Sequence, residues 1–209
     1  MPDLATLIVF CLAVLALLAT PGPDMLYVIA RSAGQGRMAG MVSVLGLCAG
    51  DLVHIFAAAV GLSTLLMTSA LAYKIIKYVG AAYLVYLGLR MLISREERAE
   101  FQASSGDNFL KIFAQGALSS MLNPKVALFF LSFLPQFIDP AKGQVLGQII
   151  ALSFAWLLIS LLAYTSLAMV AGTFSHWLRG RSSFARFQKW LTGSILVGLG
   201  FRLALPEQR

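Results

Sequence analysis

The stretch TPGPDMLYVIAR, residues 20–31, follows a run of apolar, almost uncharged residues, and its reading decides the fold. Without interruption the run would be a plain membrane helix, yet two prolines, a glycine and an aspartate cut into it. Proline has no amide hydrogen and suits the first turn of a helix, where that donor has no partner in any case. Gly22 is an acceptable N-cap. The segment therefore predicts that one helix stops and another starts with Pro23 at its first position. Asp24 then falls in the first turn, where the positive end of the helix dipole favours a carboxylate.

Working outward, the chain of 209 residues is 59% hydrophobic and 12% charged, with a mean hydropathy of +0.81. An ordinary soluble domain is about one quarter charged. Apolar stretches of about the 20 residues needed to cross a bilayer recur six times, at 4–30, 38–66, 71–93, 109–138, 144–171 and 189–205. They predict an all-α integral membrane protein of six transmembrane helices, with residues 1–209 forming a single transmembrane domain. Met1-Pro2-Asp3 lacks a positive n-region, and Pro-Gly-Pro-Asp is no small-x-small cleavage site, so the first stretch reads as a mature helix rather than a signal peptide. The net charge of +7 fits Lys and Arg gathered in cytoplasmic loops and does not require nucleic acid. With the N-terminus outside, ten basic residues fall on the cytoplasmic side and five on the other, a bias that favours both termini outside.

The polar segment SREERAEFQASSGDN, 94–108, lies near the middle with three apolar stretches on each side. It reads as a solvated cytoplasmic loop joining a first three-helix repeat, 1–93, to a second, 109–209. Because three is odd, a second half of the same layout enters from the opposite side, which makes the repeat inverted. Gly22-Pro23-Asp24 in the first span is matched by Asn123-Pro124-Lys125 in the fourth, at an identical offset of 101 residues. The first and fourth helices are thus both expected to break at proline motifs. At about 27 and 30 residues they would run roughly 40 and 45 Å if straight, against a hydrocarbon core of about 30 Å.

Each break exposes unpaired N–H groups and the positive end of a half-helix, a place for a carboxylate from Asp24 or from a substrate. Lys125 holds the corresponding place in the other half, where a positive charge needs a partner. Opposite charges at equivalent positions of inverted halves are expected near one another. An ionisable group at a helix centre costs about 2.5–3.5 kcal/mol on insertion scales. Asp24, Asn123 and Lys125, with Pro23 and Pro124 shaping the breaks, are therefore the candidate substrate site; a fixed Asp24–Lys125 salt bridge is the bland alternative. In GLCAGDLVH, Asp51 and His54 are three apart and share a helix face. With Asp24 they are candidates for proton coupling, the alternative being a local hydrogen bond. Gly46 and Gly50 have the small-xxx-small spacing that lets another helix approach closely. Tyr164, Thr165 and Ser166 bring hydroxyls into the fifth stretch. Cys11 and Cys48 form no C-x-x-C and read as small core residues. The chain has no P-loop, H-E-x-x-H, G-x-S-x-G or cluster of metal ligands, so an ATP-driven pump or a familiar hydrolase is not expected and the protein reads as no enzyme.

Several blocks together resemble a known family. The order TPGPD at 20–24, LGLCAGDLVH at 45–54, AAVGL at 58–62, GAAYLVYLGLR at 80–90, NPKVALFFLSFLPQFI at 123–138 and LTGSILVGLGFRLAL at 191–205 is similar to the RhtB branch of the LysE-type exporters, over nearly the whole chain. The resemblance implies six helices in an inverted three-plus-three arrangement in the bacterial inner membrane. It also implies efflux of homoserine, threonine, leucine or related amino acids driven by the proton-motive force. The family's first motif falls on Pro21, Pro23 and Asp24 and its second on Asn123, Pro124 and Lys125. Members of the wider superfamily export basic amino acids or cadmium, or relay electrons through paired cysteines, which this chain lacks.

The expectation is a secondary exporter of neutral amino acids by proton antiport. Its partners are an amino-acid substrate, protons and the lipid bilayer, with no nucleic acid, no cofactor and no resident metal, and with room for a homo-oligomer. The rival readings are a cation or heavy-metal exporter using Asp24, Asp51 and His54 as ligands, and a membrane scaffold that transports nothing.

Overall fold

In a computed structural model of the chain, residues 2–19, 22–62 and 108–173 are described, with isolated positions beyond them. The expected third and sixth spans, most of the 94–108 loop, and Pro21 lie outside the described residues. Within them the chain is helical: α1 (Leu4–Leu18), α2 (Pro23–Gln35), α3 (Arg37–Ala57), α4 (Phe109–Met121), α5 (Pro124–Leu128) and α6 (Val145–Thr173). A π-helical turn, Ala58–Leu62, extends α3, and α5 runs on through a π turn, Phe129–Phe133, into a 3-10 turn, Leu134–Phe137.

Local chemistry sets the ends of these elements. The Asp3 carboxylate accepts from the Thr6 amide at 2.8 Å and caps α1. The Asn108 carbonyl oxygen does the same for α4 through the Lys111 amide, also at 2.8 Å. Gly22 N-caps α2 and Asn123 N-caps α5, each followed by proline at the first helical position. Gly36 joins α2 to α3 at φ +90°, a left-handed conformation that favours glycine.

The α3 helix with its π turn, and α6, are each long and apolar enough to cross a membrane. The α1–α2 and α4–α5 pairs pass the same test only when joined; their axes bend by 60° and 45°. Among the described residues, one order of elements therefore occurs twice: short helix, break, short helix, long helix. The first and fourth apolar stretches are broken at the proline motifs, and α2 continues beyond the expected boundary at residue 30 to Gln35.

Glycine brings α3 and α4 together. A Cβ on Gly46 or Gly50 would run into the backbone carbonyl of Phe113 or Ala117, and one on Gly116 would meet the Ser43 carbonyl at 2.8 Å. The small-xxx-small spacing of α3 thus receives the backbone of α4. The main core lies around Phe10, Phe129, Phe130, Phe133 and Trp156, where α1, the π turn after α5 and α6 meet. Phe129 and Trp156 ring centroids are 4.3 Å apart.

Candidate functional site

The end of α4 is wedged between α2 and α3, and two consecutive serines near its C-terminus face different neighbours. Ser119 donates to Asp24 Oδ1 at 2.9 Å, and Ser120 donates to Asp51 Oδ1. Successive helical residues point about 100° apart, which lets one helix end serve two carboxylates on two other helices. Asp24 Oδ2 accepts from Asn123 Nδ2 at 2.7 Å, and Asp51 Oδ2 accepts from the Trp156 indole at 2.8 Å. Both aspartates are buried, and each carboxylate oxygen has a donor. Such pairing is what a buried carboxylate requires.

Asn123 does two things at once. Its Oδ1 accepts from the Lys125 amide at 3.0 Å, closing the cap of α5, while its Nδ2 reaches Asp24. Lys125 is 7% exposed, and its ammonium donates to the Leu17 carbonyl at 3.1 Å. That carbonyl belongs to the last turn of α1, where helix carbonyls have no partner within the helix and the dipole favours a cation. A Cβ on Gly22 would lie 3.2 Å from the Lys125 ammonium, so the charge sits at the break between α1 and α2.

The two breaks therefore exchange contacts. The first-turn residue of α2 rests on the end of α4 and on the N-cap of the next half-helix. The first-turn residue of α5 rests on the end of α1. Asp24 and Lys125 feel each other's charge, but among the described residues no ion pair within 4 Å joins them. Pro23 and Pro124 are exposed, so what they contribute is the shape of the backbone.

Asp51 and His54 are joined through Ser120 and not by a direct bond. His54 Nε2 lies 3.1 Å from the Ser120 carbonyl, which only accepts, so Nε2 carries a proton. The ring stacks on Phe130, with centroids 6.2 Å apart. Tyr164 is buried on α6, Thr165 is half-buried, and Ser166 is exposed and bonded to the Leu162 carbonyl of its own helix. Among the described residues, no group of three or more His, Cys, Asp or Glu is placed to hold a metal ion; Asp24, Asp51 and His54 are not gathered around one point.

The sequence profile described as "LysE type translocator" matches residues 15–207. The chain belongs to the LysE-type translocator family. Relatives of this LysE-type translocator include an uncharacterized Bacillus subtilis membrane protein, YrhP, 34% identical over 88% of this chain and 91% of its own. The leucine efflux protein of Salmonella typhimurium is 31% identical over 88% of this chain and 87% of its own. An uncharacterized membrane protein of Pseudomonas aeruginosa is 33% identical over 93% of each. No solved structure matches the chain. The LysE-type translocator is thus a multi-pass membrane protein of a transport family.

In this LysE-type translocator the carboxylate partners Ser119, Ser120 and Trp156 are functional candidates that sequence reasoning missed. Serines are common in membrane helices, and nothing in their spacing to Asp24 or Asp51 announces contact. A second missed group lies along α2, one and two turns beyond Asp24. Tyr27 donates to the Ile112 carbonyl at 2.7 Å, and the buried Arg31 donates to the Gln115 side chain while lying 5.4 Å from the Tyr27 ring centroid. The polar face of α2 is therefore matched to α4 along its length.

Proposed function

We propose that the protein is a secondary exporter of neutral amino acids, of the homoserine, threonine or leucine type, acting by proton antiport across the bacterial inner membrane. One observation carries this reading: two buried opposite charges stand at the breaks of α1–α2 and α4–α5, each held by groups of the other half and not by the other charge. A fixed structural ion pair would close directly. An α-amino acid is a zwitterion whose ammonium and carboxylate fit between two such separated charges.

In this mechanism the substrate ammonium is taken by Asp24, whose present donors Asn123 and Ser119 rearrange. Its carboxylate is taken by Lys125 beside the start of α2, where the helix dipole adds positive potential. A proton arriving at Asp24 or Asp51 removes negative charge from the junction and weakens the hold on the ammonium, which promotes release outside. The leucine efflux relative supports an amino-acid cargo, and the matched order of elements in the two halves supports an inverted three-plus-three repeat rocking about the site.

The proposed orientation places both termini outside. In a six-span chain the N-terminus and the loop between the fourth and fifth spans share one side, a layout supported by the ion pair of Asp3 with Lys142 at 3.0 Å.

The test is efflux of a labelled amino-acid mixture from proteoliposomes, with and without an imposed proton gradient. Selective, gradient-dependent loss of one or a few neutral amino acids is expected, and Asp24→Asn should abolish it. Full proton-coupled efflux in Asp24→Asn would overturn the assignment.

A further inference from the structure

The buried face of α6 carries an anomaly. Ser153 and Ser160 are 2% and 1% exposed, and neither hydroxyl has a hydrogen-bond partner among the described residues. A buried hydroxyl left unbonded is costly, and a helical serine has an easy remedy, the carbonyl four residues back. Other serines in this chain take it: Ser32 bonds the Val28 carbonyl at 2.7 Å, Ser43 the Ala39 carbonyl at 2.8 Å and Ser166, on α6 itself, the Leu162 carbonyl at 2.8 Å. Ser153 and Ser160 do not.

Their position gives the anomaly a direction. Ser153 precedes Trp156 by three residues and Ser160 follows it by four, so the three share one face of α6. Trp156 donates to Asp51, and the two hydroxyls flank Trp156 along the helix, separated by roughly 10 Å. Ser160 lies beside the Cys48 thiol, close enough to interact with it, and Tyr164 is one turn further along the same face. Among the described residues, the titratable and charged groups around Asp51 are Asp24 from α2, Lys125 from α5, Tyr164 from α6 and, on α3 itself, Cys48 and His54; α4 contributes the uncharged Ser120.

We infer that Ser153 and Ser160 bind water and form the two arms of a proton path that meets at Asp51, Ser153 towards the start of α6 and Ser160, with Tyr164, towards its end. A hydroxyl both accepts and donates, so it takes a hydrogen bond from one water and gives one to the next. A proton handed in on one side leaves as a different proton on the other, and the serine is unchanged. Because Asp51 stands between the arms, a proton crossing the protein resides on it in transit, as coupling requires. Each oxygen of Asp51 already has one donor and retains acceptor capacity for a water. The inference rests on the proton-antiport reading and adds the residues that would deliver the proton.

The test compares two activities of the reconstituted protein, with labelled L-leucine and L-threonine as probes: efflux driven by a proton gradient, and exchange of labelled for unlabelled amino acid at equal pH. Ser153→Ala and Ser160→Ala are each expected to lower the ratio of gradient-driven efflux to exchange at least fivefold, with Ser160→Thr restoring most of it. Equal losses in both activities would assign the hydroxyls to packing or to substrate, and an unaltered ratio would dismiss them; either result overturns the inference. If the wild-type protein itself shows no gradient dependence, the antiport reading fails first, which is visible before any variant is made. Hydration is tested separately with Ser153→Cys and Ser160→Cys, each placed in a Cys11→Ala/Cys48→Ala background. Small water-soluble thiosulfonates should modify both, and failure at both positions would show a dry interface and overturn the path.

Discussion

Replacing Asn123 by alanine removes two bonds that differ in kind, and the structure gives the size of each. The cap on α5, from Asn123 Oδ1 to the Lys125 amide, is worth about 1 kcal/mol. The bond from Nδ2 to the buried Asp24 carboxylate is charge-assisted and worth about 1.5–3 kcal/mol. Asn123→Ala should therefore destabilise the protein by about 2.5–4 kcal/mol, a fall in the unfolding midpoint of roughly 5–16 °C for a chain of this size. Asn123→Ser keeps an N-cap acceptor on a shorter side chain that cannot also reach Asp24, so it should recover only the smaller part. Asn123→Asp also keeps the cap but places a carboxylate against Asp24, and at neutral pH it should be worse than alanine.

The assay is thermal unfolding in detergent, followed by size-exclusion recovery, for Asn123→Ala, Asp24→Ala and the double variant. Residues in direct contact couple in such a cycle, whereas independent ones add. A coupling of about 1.5–3 kcal/mol is expected. A value below about 0.5 kcal/mol would mean that the two side chains act independently, and the junction of the halves at Asp24 and Asn123 would have to be abandoned.

Two further outcomes follow from the geometry. Gly50→Ala should lower the unfolding midpoint although alanine favours helix, because its Cβ would press on the Ala117 carbonyl and lie 2.8 Å from Ser120 Cβ; Gly61→Ala, with nothing within 4 Å, is the matched control. Overpacking of this kind costs about 1–3 kcal/mol, and equal midpoints for the two variants would refute the close α3–α4 approach. At the N-terminus, the Thr6 amide above all, with the Thr6 side chain and Lys142, holds the Asp3 carboxyl well below the usual carboxylate range, while Asp3 raises the Lys142 ammonium. The link should thus persist through mild acid and weaken only as pH falls through the lowered Asp3 value, and at the alkaline end only as pH rises through the raised Lys142 value. An ordinary carboxylate titration of Asp3 by NMR would contradict this.

The parts of this fold legible in the sequence are those that local chemistry decides. Proline cannot donate, so the starts of α2 and α5 could be placed to the residue, and Gly22 and Asn123 fell at the caps. Gly46 and Gly50 announced that a backbone would come close, but not that it would be the α4 backbone at Phe113 and Ala117. Asp51 and His54 were visible as a pair on one face, whereas their link through Ser120 was not. It depends on how α4 is rotated between α2 and α3, a quantity no single helix encodes. Trp156 was hidden for the same reason, since an indole in an apolar stretch looks like core until its N–H is seen to face a carboxylate. The third and sixth spans, the 94–108 loop and the inverted symmetry were readable as patterns and lie outside what the described residues test.

The exchange of contacts at the breaks constrains how the protein can move. Asp24, in the first half, depends on Ser119 and Asn123 of the second, and Lys125, in the second, depends on the Leu17 carbonyl of the first. A rigid rocking of one half against the other would separate both sets together, leaving a buried carboxylate and a buried ammonium without those partners. Each such loss is expensive away from water. A zwitterion between them would replace what the motion removes, so the loaded protein would have a lower barrier to rocking than the empty one. Under the proposed proton antiport, that difference is what the carrier needs, because the same barrier that slows its empty, unprotonated form would prevent the proton gradient from dissipating without export.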